Sequence, residues 1–266
     1  MAKNNCIRIK KEQLTAMVNE HQRWLETEGR EGERAELQGV DLSNYNLQQV
    51  NLERADLQGA NLRGANLRMS NFKGADLRKA DLHLANLQWA IFLSADLEKA
   101  NLRRANLHFA NFAKANLDQA DLENAFLHNA FFSEARLKEA NLTNASSRFN
   151  EFYLADMRQA ILKRATITES NMKEVILSGA DLSGTEIIRS DFQRADLRKA
   201  VICQAWIFKT NFNWADFRGA DLKGSKIEKS NFRKAILQDA NRADVQILDS
   251  DFQESDFENL NSHGQG

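Results

Sequence analysis

The sequence predicts an all-β solenoid: a parallel coil of four short sides, closed at its amino end by a helix. Three observations predict it. From Leu37 every fifth residue is large and apolar, through Leu42, Leu47, Leu52 and Leu57 to Phe257, in forty-five consecutive units broken only by Ser147 and Arg242. Among these centres Phe recurs every twenty residues, at Phe72, Phe92, Phe112, Phe132 and Phe152, then after Met172 at Phe192, Phe212, Phe232 and Phe252. The chain contains no Pro. Repeats fix architecture ahead of local propensity. A helix fails, because a five-residue period drifts around a cylinder of 3.6 residues per turn. A hairpin meander fails for want of turn segments. One unit per side satisfies both periods. Four units then return the chain one strand spacing higher, and Phe stacks on Phe roughly 4.8 Å apart.

Residues 1–34 do not repeat. Ile7 and Ile9 alternate with Arg8 and Lys10, as in a short strand. From about Lys10 to Glu28, Leu14, Met17, Val18, His21, Trp24 and Leu25 share one helical face, and Gly29 is placed to end it. The apolar face predicts a cap over the first coil, since terminal repeats need covering. Bulky Val40, Tyr45 and Val50 lie where that coil meets the cap.

The repeat occupies residues 35–259. Two positions before each centre sits a small residue, Ala in 30 of 45 units, predicted to point inward at a crowded corner. One position before the centre sits Asp or Asn, short acceptors suited to turn amides. Asn66, Asn86 and Asn106 stand at equal heights and predict an amide ladder. Eight glycines, among them Gly59 and Gly179, follow the centre by two, where a type II corner needs positive φ. The lack of Pro fits a coil that uses its backbone N–H groups. The sequence predicts about eleven coils, a tower roughly 50–55 Å tall. Residues 260–266 form a polar tail, and no capping segment separates it from the last coil, whose open edges invite pairing.

Stretches such as Ala55-Asp56-Leu57-Gln58-Gly59 resemble the unit of the pentapeptide-repeat family, Ala-(Asp/Asn)-Leu-X-X. The resemblance covers about Ala35 to Asn259. It implies a right-handed quadrilateral parallel β-helix with, here, an N-terminal capping α-helix. It also implies a homodimer formed through the carboxyl-terminal coils. Some members look like duplex DNA and protect DNA gyrase from quinolones, so a DNA-mimic that binds a topoisomerase is one functional reading. Mimicry needs a strongly negative surface, whereas this chain carries a net charge of −1 with both signs interspersed. Binding of nucleic acid by the basic faces is disfavoured for the same reason, since Asp interrupts any positive path.

Catalytic motifs are absent: no glycine-rich phosphate loop and no paired-His metal helix occurs, so the reading is a non-enzyme without cofactors. His108 and His128, twenty residues apart, should stack on adjacent coils. No third ligand accompanies them, and no metal site is assigned. Cys6 and Cys203 are too few for a disulfide framework, and Cys203 should face outward. With no secretory or transmembrane segment, a cytoplasmic location is expected.

The outward positions carry the functional signal. The faces centred on Leu47 and Leu52 hold most outward apolar groups: Met69, Trp89, Ile91, Leu93, Phe109, Phe126, Phe131, Phe149, Tyr153 and Leu154, and higher up Ile188, Trp206, Phe208 and Trp214. At Ile91, Phe126 and Phe131 the Asp/Asn rule itself fails. A contiguous apolar stripe with a polar rim marks a contact surface; rings folded over corners are the alternative. The sequence therefore predicts a non-catalytic scaffold that holds a protein partner on this stripe.

Overall fold

The computed structural model describes residues 7–257. It is a quadrilateral parallel β-helix, and its regularity follows from where each unit sends its five backbone N–H groups. In the unit centred on Leu57, the Leu57 N–H donates to the Asp76 carbonyl of the coil above (2.7 Å), and that of Asp56 to the Ala35 carbonyl below (3.0 Å). Gly59 N–H reaches Arg78 O above (2.8 Å), and Ala60 N–H closes the turn on Leu57 O (2.9 Å). The remaining donor, Gln58 N–H, is taken by the Asp56 carboxylate at 2.9 Å. Every donor of the unit is thus placed, which explains both the Asp/Asn position and the missing Pro. Bridges within the repeat join residues twenty apart, all parallel, from Glu36 with Asp56 to Asn231 with Asp251.

Centres and small residues fill the tube, nearly all of them fully buried. The Phe column stacks from Phe72 to Phe152 with centroids 4.7–5.0 Å apart and planes within 6°. Above Met172 it resumes with rings tilted by up to 28°, where Phe217 enters edge-on against Phe212. The corner glycines adopt φ of 62–70°, but most corners use other residues in the same left-handed region, at 49–63°. The continuous ladder expected through Asn66, Asn86 and Asn106 is not formed. Asn66 bonds Asn46 (2.9 Å), while Asn86 and Asn106 accept from the N–H groups of Gln88 and His108. Inter-coil amide bonds are instead regular on the Leu42 face, where Asp and Asn alternate: Asn61 donates to Asp41, Asn101 to Asp81 and Asn141 to Asp121.

The amino end is capped as the sequence predicts. Strand β1 (Ile7–Arg8) adds a parallel rung beneath β2 (Val40–Asp41). Helix α1 (Lys11–Glu26) follows, burying Leu14 and His21. His21 Nδ1 accepts the Ala35 N–H at 3.1 Å, and the Tyr45 hydroxyl donates to the Ile9 carbonyl at 2.5 Å, so helix and strand are both tied to the first coil. Val40, Tyr45 and Val50 pack against this join. The expected tail lies outside the described residues, as does Cys6.

One departure divides the tower. Three-residue strands appear on the Leu47 face alone, from Ser146 upward: β3 (Ser146–Arg148), β4 (Thr166–Thr168), β5 (Glu186–Ile188), β6 (Trp206–Phe208), β7 (Lys226–Glu228) and β8 (Gln246–Leu248) form one parallel sheet. Elsewhere the ladder consists of single-residue bridges. The corner that follows these strands has exchanged its Ala for Asn150, Ser170, Ser190, Thr210, Ser230 and Ser250. Its N–H no longer closes a tight turn. Asn150 N–H donates to Ser170 Oγ, Ser170 to Ser190, Thr210 to Ser230 and Ser230 to Ser250, at 3.1–3.2 Å. At these four corners a hydroxyl inside the wall replaces the turn bond, while the Thr210 hydroxyl instead donates to the Ile187 and Phe208 carbonyls. At the changeover, Ser147 and Asn150 are buried with side-chain polar atoms unpartnered. A small apolar void opens beside Ser147, lined also by Leu127, Phe152, Ile167 and Met172.

Candidate protein-binding face

The corner between the Leu47 and Leu52 faces collects the apolar side chains of the lower half. Met69, Trp89, Phe109, Asn129 and Phe149 occupy one column, two residues past the Leu47-face centres. The indoles and rings there sit at left-handed backbone, with φ of 61° at Trp89 and at Phe109. Bulky side chains are disfavoured in that region, and Gly or Asn is the ordinary choice. Trp89 and Phe109 nonetheless stack, with centroids 4.0 Å apart and planes 2° off parallel. Each covers a face of the other and shows solvent its edge, with Trp89 49% and Phe109 37% exposed. Corner packing and an open surface therefore coexist in this pair.

Ile91 and Phe131 form the next column, on the Leu52 face, and are 40% and 48% exposed. Phe126 stands at the far side of the Leu47 face. At these three positions the unit has given up an acceptor: the N–H groups of Leu93, His128 and Ser133 lack the side-chain bond that Asp or Asn supplies elsewhere. Phe126 has a second effect. His128 Nε2 lies 2.8 Å from Ser146 Oγ, eighteen residues on. The corresponding position for His108 is Phe126, and His108 Nε2 is buried without a partner. The two imidazoles stack at 4.9 Å as the spacing predicts. Burial pushes both pKa values down, helped at His128 by its neighbour His108.

The stripe is not continuous. Phe149, Tyr153 and Leu154 are exposed beside the changeover, with Arg148 stacked on Phe149 at 4.5 Å. Above them Glu169 pairs with Arg148 and Arg189 (3.4 and 3.5 Å) and interrupts the apolar run. Trp206, Phe208 and Trp214 form a separate upper group, covered in part by cations: Lys209 over Phe208 at 5.2 Å and Lys234 over Trp214 at 4.4 Å. Leu93, Ile188 and Phe208 are half-buried. Leu84, Ile161, Ile236, Ile247 and Leu248 are also exposed, outside the stripe expected from the sequence. The first three stand alone on the other faces. The last two lie on β8.

The other faces are ionic and largely self-satisfied. Arg78, Arg158, Arg198 and Arg218 each clasp the Asp two residues earlier. Arg78 holds the Asp76 carboxyl below the usual carboxylate range. Cys203 is half-buried, and burial pushes its thiol up to about 11, which leaves it unreactive at neutral pH. Among the described residues no group of three His, Cys, Asp or Glu side chains is placed to hold a metal ion. No helix there is long and apolar enough to cross a membrane.

The family model for pentapeptide repeats matches in eight overlapping copies, spanning residues 35–146 and 168–241. The chain belongs to the pentapeptide-repeat family. The unmatched stretch between those spans holds the changeover at Ser147 and Asn150. Among solved structures, the chain is similar to HetL, a pentapeptide repeat protein involved in heterocyst differentiation regulation in the cyanobacterium Nostoc sp. strain PCC 7120. The two are 30% identical over 86% of this chain and 92% of HetL, with a TM-score of 0.55. QnrB1, a plasmid-mediated fluoroquinolone resistance protein, matches at 16% identity over 81% of this chain and 92% of its own, with a TM-score of 0.46. A thylakoid-lumen pentapeptide repeat protein of Arabidopsis thaliana is 31% identical over 42% of this chain and 68% of its own, with a TM-score of 0.20. No curated protein sequence matches the chain significantly.

Proposed function

We propose that this chain is a non-catalytic binding protein that docks a protein partner on the lower aromatic corner, around Trp89, Ile91, Phe109 and Phe131. One observation carries the reading: apolar residues stand at Ile91 and Phe131 where the unit uses Asp or Asn to satisfy its own backbone. The exchange gives up a side-chain bond to the backbone at each position, and both side chains are exposed. Aromatic side chains on a rigid wall are suited to anchor a partner. Similarity to HetL, described as a regulator, accords with action through a partner. A DNA-mimic reading has less support, because exposed Arg side chains neutralise the Asp rows and the net charge is −1. A cytoplasmic location and self-association through the carboxyl-terminal coil belong to the same proposal.

The test is capture of interacting proteins by wild type and by the W89E/F109E/F131E variant. All three positions are exposed, so the tower should survive, as circular dichroism and thermal melting would check. Loss of a specific captured protein is the expected result. Equal capture by both would place the contact elsewhere.

A further inference from the structure

The Leu47 face has a chemical peculiarity that the aromatic residues conceal. From Asn46 to Phe149 its eighteen outward positions, six coils high, contain no Asp or Glu. They hold Asn, Gln, Ser, His, Arg and the apolar anchors. The neighbouring column on the Leu52 face, Asn51, Asn71, Ile91, Asn111 and Phe131, is free of acid over the first five coils, and Glu151 ends it on the sixth. The opposite two faces carry acids over the same height, such as Asp56, Asp76, Asp81 and Asp121.

The foot of this face is a groove of about 460 Å³ between α1 and the first coils. Leu14, Val18, Tyr45 and Leu47 line it with Arg8 and Lys11, and no carboxylate lines it. Arg8 lies over the Tyr45 ring at 5.6 Å. Lys11 and Arg68 are exposed and make no ion pair among the described residues, whereas Arg8 faces Asp41 across the β1–β2 rung and the Arg side chains of the Leu37 face are clasped by Asp. Groove and face thus form one strip, apolar in its anchors and positive in the unanswered charges of Lys11 and Arg68.

Resting on the aromatic-corner reading, we propose that the partner element is an acidic, apolar-bearing polypeptide segment that runs from the α1 groove up the Leu47 face. Its carboxylates would meet Lys11 and Arg68, and its apolar side chains would pack on Leu47, Met69 and Trp89. Charge complementarity fixes the sign of the partner: an acidic segment meets no like charge on this strip, while a basic one leaves Lys11 and Arg68 unpaired. The height of five coil steps, roughly 24 Å, is spanned by about seven extended residues.

The experiment uses the full-length protein and three synthetic peptides of about ten residues, alternating Leu or Phe with Glu, with Gln or with Lys. Binding is read by fluorescence anisotropy. The Glu peptide is expected to bind, to weaken about tenfold when salt rises from about 50 to about 300 mM, and to weaken about tenfold in K11E/R68E. It is also expected to weaken in W89N/F109N. Equal binding of the Gln or Lys peptide overturns the acidic assignment and leaves the aromatic-corner reading standing. Glu-peptide binding that W89N/F109N does not change puts the site elsewhere and overturns both. Absence of binding by all three overturns the proposed segment.

Discussion

At Ile91 and Phe131 the interest of the tube and the interest of the surface diverge. Asn in those places would accept the N–H of Leu93 and of Ser133, as Asn71 accepts that of Lys73 at 3.0 Å. It would also lengthen an amide column, since Asn71 and Asn111 flank Ile91 on adjacent coils. Each recovered bond is worth about 0.5–1.5 kcal/mol. The variant I91N/F131N is therefore expected to raise the guanidinium unfolding midpoint while losing partner capture. Mutations that stabilise a fold and abolish its activity mark residues kept for function. A lowered midpoint would instead show that the exposed rings contribute packing that outweighs the lost bonds, and would weaken the binding argument. Sequence alone showed these positions as exceptions to a pattern. It did not show which donor each exception abandons, because that requires the path of the N–H two residues on.

At the scale of the elements, the corner after the Leu47 face changes its construction at Ser147 and Asn150. The five-residue and twenty-residue periods made the four-sided coil and the Phe stack legible, and the helical spacing of Leu14, Met17, Val18 and His21 the cap, because each depends on an apolar side chain at a fixed interval. The corner hydroxyls were present in the sequence as Ser170, Ser190, Thr210, Ser230 and Ser250, yet they read as a set of small residues equivalent to Ala. Their meaning depends on whether the corner closes its own turn bond, and a volume pattern does not encode that. The same limit hid the division of the stripe, which follows from Glu169 bridging two arginines across coils. The changeover is also where the wall is least well filled. Ser147 stands in a Leu or Ile position between Leu127 and Ile167, with its Oγ unpartnered and a void beside it. S147L removes the orphaned hydroxyl and fills space, and is expected to stabilise the tower by about 1–3 kcal/mol. Equilibrium denaturation measures it. A loss of stability would mean that the void is too narrow for Leu and that the wall at this coil is closed by Asn150.

For the whole molecule, one buried histidine, His21, and two half-buried ones, His108 and His128, set the response to pH. His21, His108 and His128 all have lowered pKa values, with burial the largest cause in each. Unfolded, each takes up a proton near 6.5. Folded, each resists protonation until lower pH. The unfolded chain therefore binds more protons once the pH falls below about 6.5, and stability declines from there until the folded values are passed. Above that pH the histidines are neutral in both states and contribute no slope. The paired carboxylates act in a separate, more acidic range. Asp76 is held low by Arg78, and Asp156, against an opposing effect of burial, by Arg158, so their contribution is lost only as pH falls through those depressed values. The interval from about pH 6.5 to about pH 5 thus isolates the histidines. His21 should dominate it, because its Nδ1 accepts the Ala35 N–H, and a proton there would set two donors against each other where helix and first coil join. Unfolding midpoints are expected to fall steadily across that interval in the wild type. The fall should shrink in H21N, and shrink further when H108N/H128N is added. A midpoint that stays level from pH 7 to pH 5 would show that the cap opens enough to hydrate His21 at no cost, and that α1 is held to the coil by Leu14, Tyr45 and strand β1 alone.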